Sequence, residues 1–299
     1  MLIQELIPLG PKTTMRIGGK ARWYADIVTK EDVEEAWKFA KEKGIPLIPL
    51  GGGSNTIFAD EVIEALVVRI KNETAVIDGN RVTVSAGKIL GSLLNELATQ
   101  NLDLSPLTGI PGTLGGAIFG NAGQGPKGIW IDTFIESVTV FIDGHWKTMT
   151  QEECHFRYRE SIFKDLADSR NQKPETRNQL IIWSAILKIP SRPAADVKAE
   201  IERLIKKRIE TQPHLKTAGS CFKALPDGTP AWQLIEKAGL RGTKIGGIQI
   251  SEKHANFLLN VEKGTFEDAI EAVKSIRRQV PQIENVEMRF IAHDGSLVF

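Results

Sequence analysis

Cysteine is scarce in this chain of 299 residues: only Cys154 and Cys221 occur. Two thiols at that spacing supply neither a disulfide framework nor a metal-ligand pattern, which excludes a stapled secreted scaffold and a zinc-centred fold and favours a reducing compartment. No apolar run reaches the roughly 18 residues of a membrane span. The opening MLIQELIPLG also lacks the basic n-region and long apolar stretch of a secretory signal. Neither sign of charge dominates: Lys and Arg number 38 against 37 Asp and Glu, and a net charge of +1 gives no general attraction to nucleic acid or anionic membrane. The expectation is a cytoplasmic protein with no metal, nucleic-acid or membrane partner.

Glycine, by contrast, is concentrated. Two glycine-dense loops each follow a strand-like run: LGGGSN (Leu50, Gly51, Gly52, Gly53, Ser54, Asn55) and GIPGTLGGAIFGNAG from Gly109 to Gly123. Residues without a Cβ let backbone N–H groups approach a ligand closely, and successive turn N–H groups form a concavity suited to phosphate oxygens. Two such loops suggest a ligand with a pyrophosphate gripped from two sides. The common nucleotide patterns do not apply. No Walker sequence exists, because Lys20 and Lys88 follow glycine but precede Ala21 and Ile89. Gly123, Gly125 and Gly128 match G-x-G-x-x-G, yet that pattern must follow a strand and open a helix, whereas a glycine loop precedes these three and a β-rich run follows.

At this length about two domains are expected. Thr29 and Asp32 read as a capping box opening a helix that Gly44 stops, and Lys88 to Gln100 carries a leucine stripe at Leu90, Leu93, Leu94 and Leu97. Strands are predicted at Val62–Ile70, Ala75–Ile77, Val82–Ala86, Phe134–Ile142, Leu180–Ile189 and Val286–Ile291, with the turn Asp78–Asn80 joining a hairpin. Helices are predicted at about 195–210 and at 266–280, the basic run Arg203–Arg208 reading as a solvated face. Asp165 to Asn178 reads as an exposed polar loop.

Taken together with TTMRIGGKA (Thr13–Ala21), FRYRES (Phe156–Ser161), AGSCFK (Ala218–Lys223), SEKHANFLLN (Ser251–Asn260) and EMRFI (Glu287–Ile291), the two glycine loops resemble the UDP-N-acetylenolpyruvoylglucosamine reductase family, in order and over essentially the whole chain. The resemblance implies an α+β fold: a two-lobed FAD-binding domain of the vanillyl-alcohol-oxidase kind over 1–193, with lobes of about 1–70 and 71–193, and a smaller substrate-binding domain over 194–299. It implies noncovalent FAD, with NADPH as cosubstrate and a UDP-sugar as substrate. No His or Cys lies between Gly51 and Asp60, where related oxidases tether flavin. The implied cofactor contacts are Leu50, Gly51, Gly52, Gly53, Ser54, Asn55, Gly109, Ile110, Pro111, Gly112, Thr113, Gly115, Gly116, Ala117 and Asn121.

The family reduces an enolpyruvyl ether to a lactyl ether, and its catalytic residues carry over to Arg159, Ser220 and Glu287. Strand alternation in FRYRES would put Arg157 and Arg159 on one face, and alternation in Val286–Phe290 would present Glu287 with Arg289. Ser220 and Cys221, as neighbours on an extended segment, would face opposite sides. Tyr158, Lys223 and Arg289 carry over as substrate contacts, and His254 reads equally as structural or as a site residue. The chain departs from the family where Ala224 replaces an asparagine and Gln124-Gly125-Pro126 follows the second loop. With only Tyr24 and Tyr158 present, it resembles the subtype without a substrate-covering tyrosine loop. Two rival readings stay open: another FAD oxidoreductase of the same fold acting on an alcohol or 2-hydroxy acid, and a non-catalytic nucleotide-binding homologue.

Overall fold

Local capping signals set several of the elements in the computed structural model, which describes residues 1–124, 128–168 and 180–299. After β1 (Gln4–Pro8) and β2 (Lys20–Ile27), helix α1 (Lys30–Lys43) begins where the Thr29 hydroxyl accepts the Asp32 N–H and the Asp32 carboxylate accepts the Thr29 N–H. It ends at Gly44, whose φ of 63° suits a residue without Cβ. The apolar face of α1, Val33, Ala36 and Ala40, packs into one core with Leu47, Leu66 and Val68. Leu47 lies on β3 (Leu47–Pro49), which pairs in parallel with β5 (Val62–Ile70); β4 (Thr56–Phe58) intervenes in the chain. A four-stranded sheet has the order β1-β2-β5-β3.

By packing, the chain divides into two units. The first comprises Met1–Gln4, Trp23–Gly52 and Ala65–Arg208; the second comprises Glu5–Arg22, Gly53–Glu64 and Ile209–Phe299. In the first unit, Gly79 turns the hairpin of β6 (Ala75–Asp78) and β7 (Arg81–Ser85), with Asp78 opposite Arg81. Helix α2 (Leu90–Thr99) buries its predicted leucine stripe; it, and not a strand, precedes the second glycine stretch, of which Leu114–Phe119 is itself helical (α3), capped by Thr113. Next come β8 (Ile135–Ile142), β9 (His145–Thr150), α4 (Ile162–Ala167), β10 (Leu180–Lys188) and α5 (Ala194–Thr211). A five-stranded antiparallel sheet, β6-β7-β10-β8-β9, shares one core with the α2 and α3 leucines.

In the second unit α6 (Ala231–Lys237) precedes a three-stranded antiparallel sheet of β11 (Lys244–Ile245), β12 (Ile248–Ile250) and β13 (Leu258–Asn260). Helix α7 (Phe266–Gln279) opens with a second capping box, Thr265 and Asp268, and buries Phe266, Ala269, Ile270, Ala272, Val273 and Ile276. Strand β14 (Arg289–Ile291) runs parallel to β4, Arg289 opposite Thr56.

Mixed helices and strands of this kind form an α+β fold. Two expectations change. The polar stretch from Asp165 is helical through Ala167 at the end of α4, while residues 169–178 lie outside the described residues. The strand expected from Val286 begins only at Arg289: Val286 makes an isolated bridge to Phe222, and the chain bends at Met288. Among the described residues no helix is long and apolar enough to cross a membrane, and no cluster of His, Cys, Asp or Glu is arranged to hold a metal ion.

Candidate active site

The two glycine loops meet backbone to backbone. A Cβ on Gly52 would stand 2.6 Å from the Cα of Gly112, and one on Gly51 would stand 2.8 Å from the Thr113 hydroxyl. Real Cβ atoms are not found that close, so hydrogen is the only substituent these positions accept without movement. The second loop is fixed from behind: Gly115 N–H donates to the Ala86 carbonyl at 2.9 Å and Leu114 N–H to the Lys88 carbonyl at 2.9 Å. Arg69, on β5, donates from Nε to the Gly51 carbonyl at 3.1 Å and holds the first loop likewise. Among the described residues the N–H groups of Gly51, Gly52 and Gly53 donate to no protein acceptor. Backbone donors without a protein acceptor, on a loop that admits no side chain, are the kind of group that receives phosphate oxygens.

Other expected cofactor contacts have structural partners. Thr113 caps α3, its hydroxyl accepting the Gly116 N–H. Asn121 is fully buried and donates from Nδ2 to the Arg157 carbonyl at 3.0 Å and to Asp132 at 3.2 Å. Asn55 donates from Nδ2 to the Glu287 carbonyl at 3.0 Å.

FRYRES is a turn, where strand alternation predicted an extended segment. Arg157 and Glu160 exchange two backbone hydrogen bonds, each 3.0 Å, and Arg159 takes a φ of 58° inside the turn. The consequence is a separation of the two arginines. Arg157 is exposed and clasps both oxygens of Asp165 at 2.8 Å. Arg159 instead is half-buried over the Tyr158 ring and donates from Nη2 to the Gly123 carbonyl at 2.7 Å. Neutral carbonyls, of Gly123 and Asn121, anchor one edge of its guanidinium.

In the second unit, AGSCFK is threaded between two partners. Cys221 N–H donates to the Asn256 carbonyl and Glu287 N–H donates to the Cys221 carbonyl, both at 2.8 Å, while Lys223 N–H donates to the Asn285 carbonyl at 3.0 Å. The Asn256 side chain bonds both backbone groups of Phe222. These bonds bring Ser220 and Glu287 onto adjoining segments. Cys221 is fully buried and Ser220 half-exposed, the opposed orientation expected of neighbours on extended chain. Burial, with the Glu287 charge second, pushes the Cys221 thiol well up from its usual 9.0. Arg289 is pulled down to about 10 by burial. His254 sits edge-on to Phe257 at 4.9 Å and accepts the Asn256 N–H at Nδ1; burial, then Arg241, lowers its pKa, a structural role.

Arg69 and Arg208 were not singled out from the sequence. Arg208 was expected on a solvated face, but it continues the stripe Val197, Ile201, Leu204 at helical spacing, of which Val197 and Ile201 are buried. That periodicity was the available signal. For Arg69 no local pattern distinguishes the side chain from others on β5.

Two family models match separate stretches of the chain. Residues 23–149 match the model of an FAD binding domain and residues 212–290 match that of the UDP-N-acetylenolpyruvoylglucosamine reductase C-terminal domain. The UDP-N-acetylenolpyruvoylglucosamine reductase of Synechococcus sp. is 33% identical over 94% of this chain and 87% of its own. That of Aquifex aeolicus is 32% identical over 99% of this chain and 97% of its own. The crystal structure of UDP-N-acetylenolpyruvylglucosamine reductase from Thermus caldophilus superposes with a TM-score of 0.81 at 30% identity, covering 97% of this chain and 99% of that one.

Proposed function

This chain belongs to the UDP-N-acetylenolpyruvoylglucosamine reductase family, and from that membership we propose that it reduces the enolpyruvyl ether of a UDP-sugar to a lactyl ether with FAD and NADPH, a step of peptidoglycan precursor synthesis. The observation that carries the chemistry is the pairing of Ser220 and Glu287 on adjoining segments with Cys221 turned into the core.

FAD fits the residues present. The Gly51–Gly53 N–H groups lack protein acceptors, the close approach of Gly52 to Gly112 keeps side chains out of the cradle, and the Thr108 hydroxyl beside Gly109 is buried without a partner. Leu50–Asn55, Gly109–Thr113 and Gly115–Ala117 would hold it. Bound FAD supplies the hydride relay from nicotinamide to the β-carbon of the enolpyruvyl group.

This chain's own residues then manage charge and one proton. Hydride arriving at the β-carbon pushes electrons toward the substrate carboxylate. The Arg159 fork is suited to pair with those oxygens as their charge grows, and its carbonyl anchors fix the fork in advance. Ser220 donates its hydroxyl proton to the adjacent carbon, completing the reduction, and Glu287 with Arg159 stabilises the carbanionic charge that this proton quenches. Tyr158, Lys223 and Arg289 bind the remainder of the substrate. Residues 1–193, as lobes of about 1–70 and 71–193, form the cofactor domain and 194–299 the substrate domain. The enzyme works as a cytoplasmic monomer.

The test is spectral. The purified protein is expected to be yellow with releasable flavin, to bleach anaerobically with NADPH and to recolour on addition of the enolpyruvyl UDP-sugar. A colourless protein that takes up no FAD overturns the reading.

A further inference from the structure

Arg208 has no part in that scheme, and its surroundings in the first unit are unusual. Its stem lies flat on the second glycine loop: a Cβ on Gly109 would stand 2.4 Å from its Cδ, 3.2 Å from its Nε and 3.7 Å from its Cζ. Gly109 has a φ of 78°. The backbone therefore leaves room there for an arginine and for nothing of its own. One residue earlier, the Thr108 hydroxyl is buried with no hydrogen-bond partner. Among the described residues Arg208 makes no ion pair and no hydrogen bond. Burial, then the nearby positive charge of Arg159, lowers its pKa.

A half-buried guanidinium without a counter-charge, close to a second guanidinium, is an unfavourable arrangement in the protein alone. A helix end has no packing need for it, since methionine or leucine would extend the Val197–Ile201 stripe at lower cost. An anion with several oxygens resolves both problems, because it neutralises the charge and offers the planar fork two acceptors. The neighbouring loop is backbone shaped for phosphate, which selects the anion.

We propose that Arg208, laid across Gly109, is a binding residue for a nucleotide diphosphate at the second glycine loop. The inference rests on the reading of the loops as a dinucleotide cradle and adds a charged side chain to a grip otherwise made of backbone. A diphosphate is carried by FAD, by the UDP-sugar and by NADPH, so the experiment has three arms on wild-type, Arg208→Gln and Arg208→Lys holoenzyme. Flavin release on dilution is read by recovery of flavin fluorescence; UDP-sugar affinity, by perturbation of the bound-flavin spectrum; and NADPH affinity, by half-saturation of anaerobic bleaching.

In Arg208→Gln one arm is expected to weaken at least tenfold, with its dependence on ionic strength flattened, and Arg208→Lys is expected to recover part of the loss; the arm that moves identifies the diphosphate. All three arms within twofold of wild type overturn the proposal. So does equal weakening in both variants with the salt dependence intact, which marks a packing role. Should Arg208→Gln fail to fold, Arg208→Lys alone decides by its salt dependence. A wild-type protein that binds no flavin fails the functional reading instead, and is recognised before any variant is made.

Discussion

The Gly51–Gly52 and Gly109–Gly112 segments of the first unit and the Ser220–Glu287 ladder of the second use the chain in opposite ways. In the loops, function follows from what is missing: without side chains at Gly51, Gly52 and Gly112, two backbones touch, and the Gly51 and Gly52 N–H groups keep no protein acceptor. In the ladder, backbone hydrogen bonds are satisfied internally and the chemistry is left to side chains standing on them. A substitution in the loops therefore deforms the scaffold along with the site. A substitution of the Ser220 or Glu287 side chain can remove chemistry while the backbone bonds that join their segments remain.

The largest expected effect breaks the ladder's chemistry alone. Ser220→Ala and Glu287→Gln should each retain FAD and its reduction by NADPH, and slow flavin reoxidation by the enolpyruvyl substrate about a thousandfold, within the range for a lost general acid. Stopped-flow absorbance separates the two half-reactions. Equal slowing of both halves would mean that these residues support the flavin site and would erase the contrast.

Next, Gly52→Ala should do what no ladder variant does. Its Cβ, 2.6 Å from the Gly112 Cα, forces the loops apart. At least a tenfold loss of FAD affinity is expected, together with about 1–3 kcal/mol of stability, typical of overpacking. The flavin-to-protein absorbance ratio after gel filtration and a urea titration report the two losses. Gly91→Ala is the matched control. A Cβ there meets nothing within 4 Å, and Gly91 lies in the exposed first turn of α2, so the change should stabilise by about 0.5 kcal/mol and leave the flavin untouched.

The same contrast explains what could be read from the sequence. The loops were legible because glycine density is itself the signal, and α1 because Thr29, Asp32 and Gly44 act within a few residues of one another. The pairing of Ser220 with Glu287 was reachable only through resemblance, since 67 positions separate residues that meet by hydrogen bonds. Arg159 defeated the alternation rule because its positive φ comes from a turn closed by Arg157 and Glu160, and no glycine or asparagine marks it. Around Arg208 charge and helical spacing point opposite ways: the basic run reads as a solvated face, while the spacing from the buried Val197 and Ile201 puts Arg208 on their side of the helix.

The smallest effect sharpens the choice between adjacent residues. Cys221 is chemically a better acid than Ser220, but it is fully buried and its thiol is held well above 9.0, first by burial and then by the Glu287 charge. Cys221→Ala should therefore leave both half-reactions within about threefold of wild type, since a buried thiol that stays protonated donates nothing to substrate. Its trace should appear in stability against pH. A group whose folded pKa is raised contributes stability that is full below its unfolded value and lost as pH rises toward the folded one. Wild type should accordingly lose stability relative to Cys221→Ala only above about pH 9. Urea midpoints of both proteins at pH 7 and pH 10 measure this, and comparing the pair cancels the similarly raised Cys154. A difference between the proteins that is independent of pH would place the Cys221 thiol outside the core. Loss of turnover in Cys221→Ala would transfer the proton from Ser220 to its neighbour.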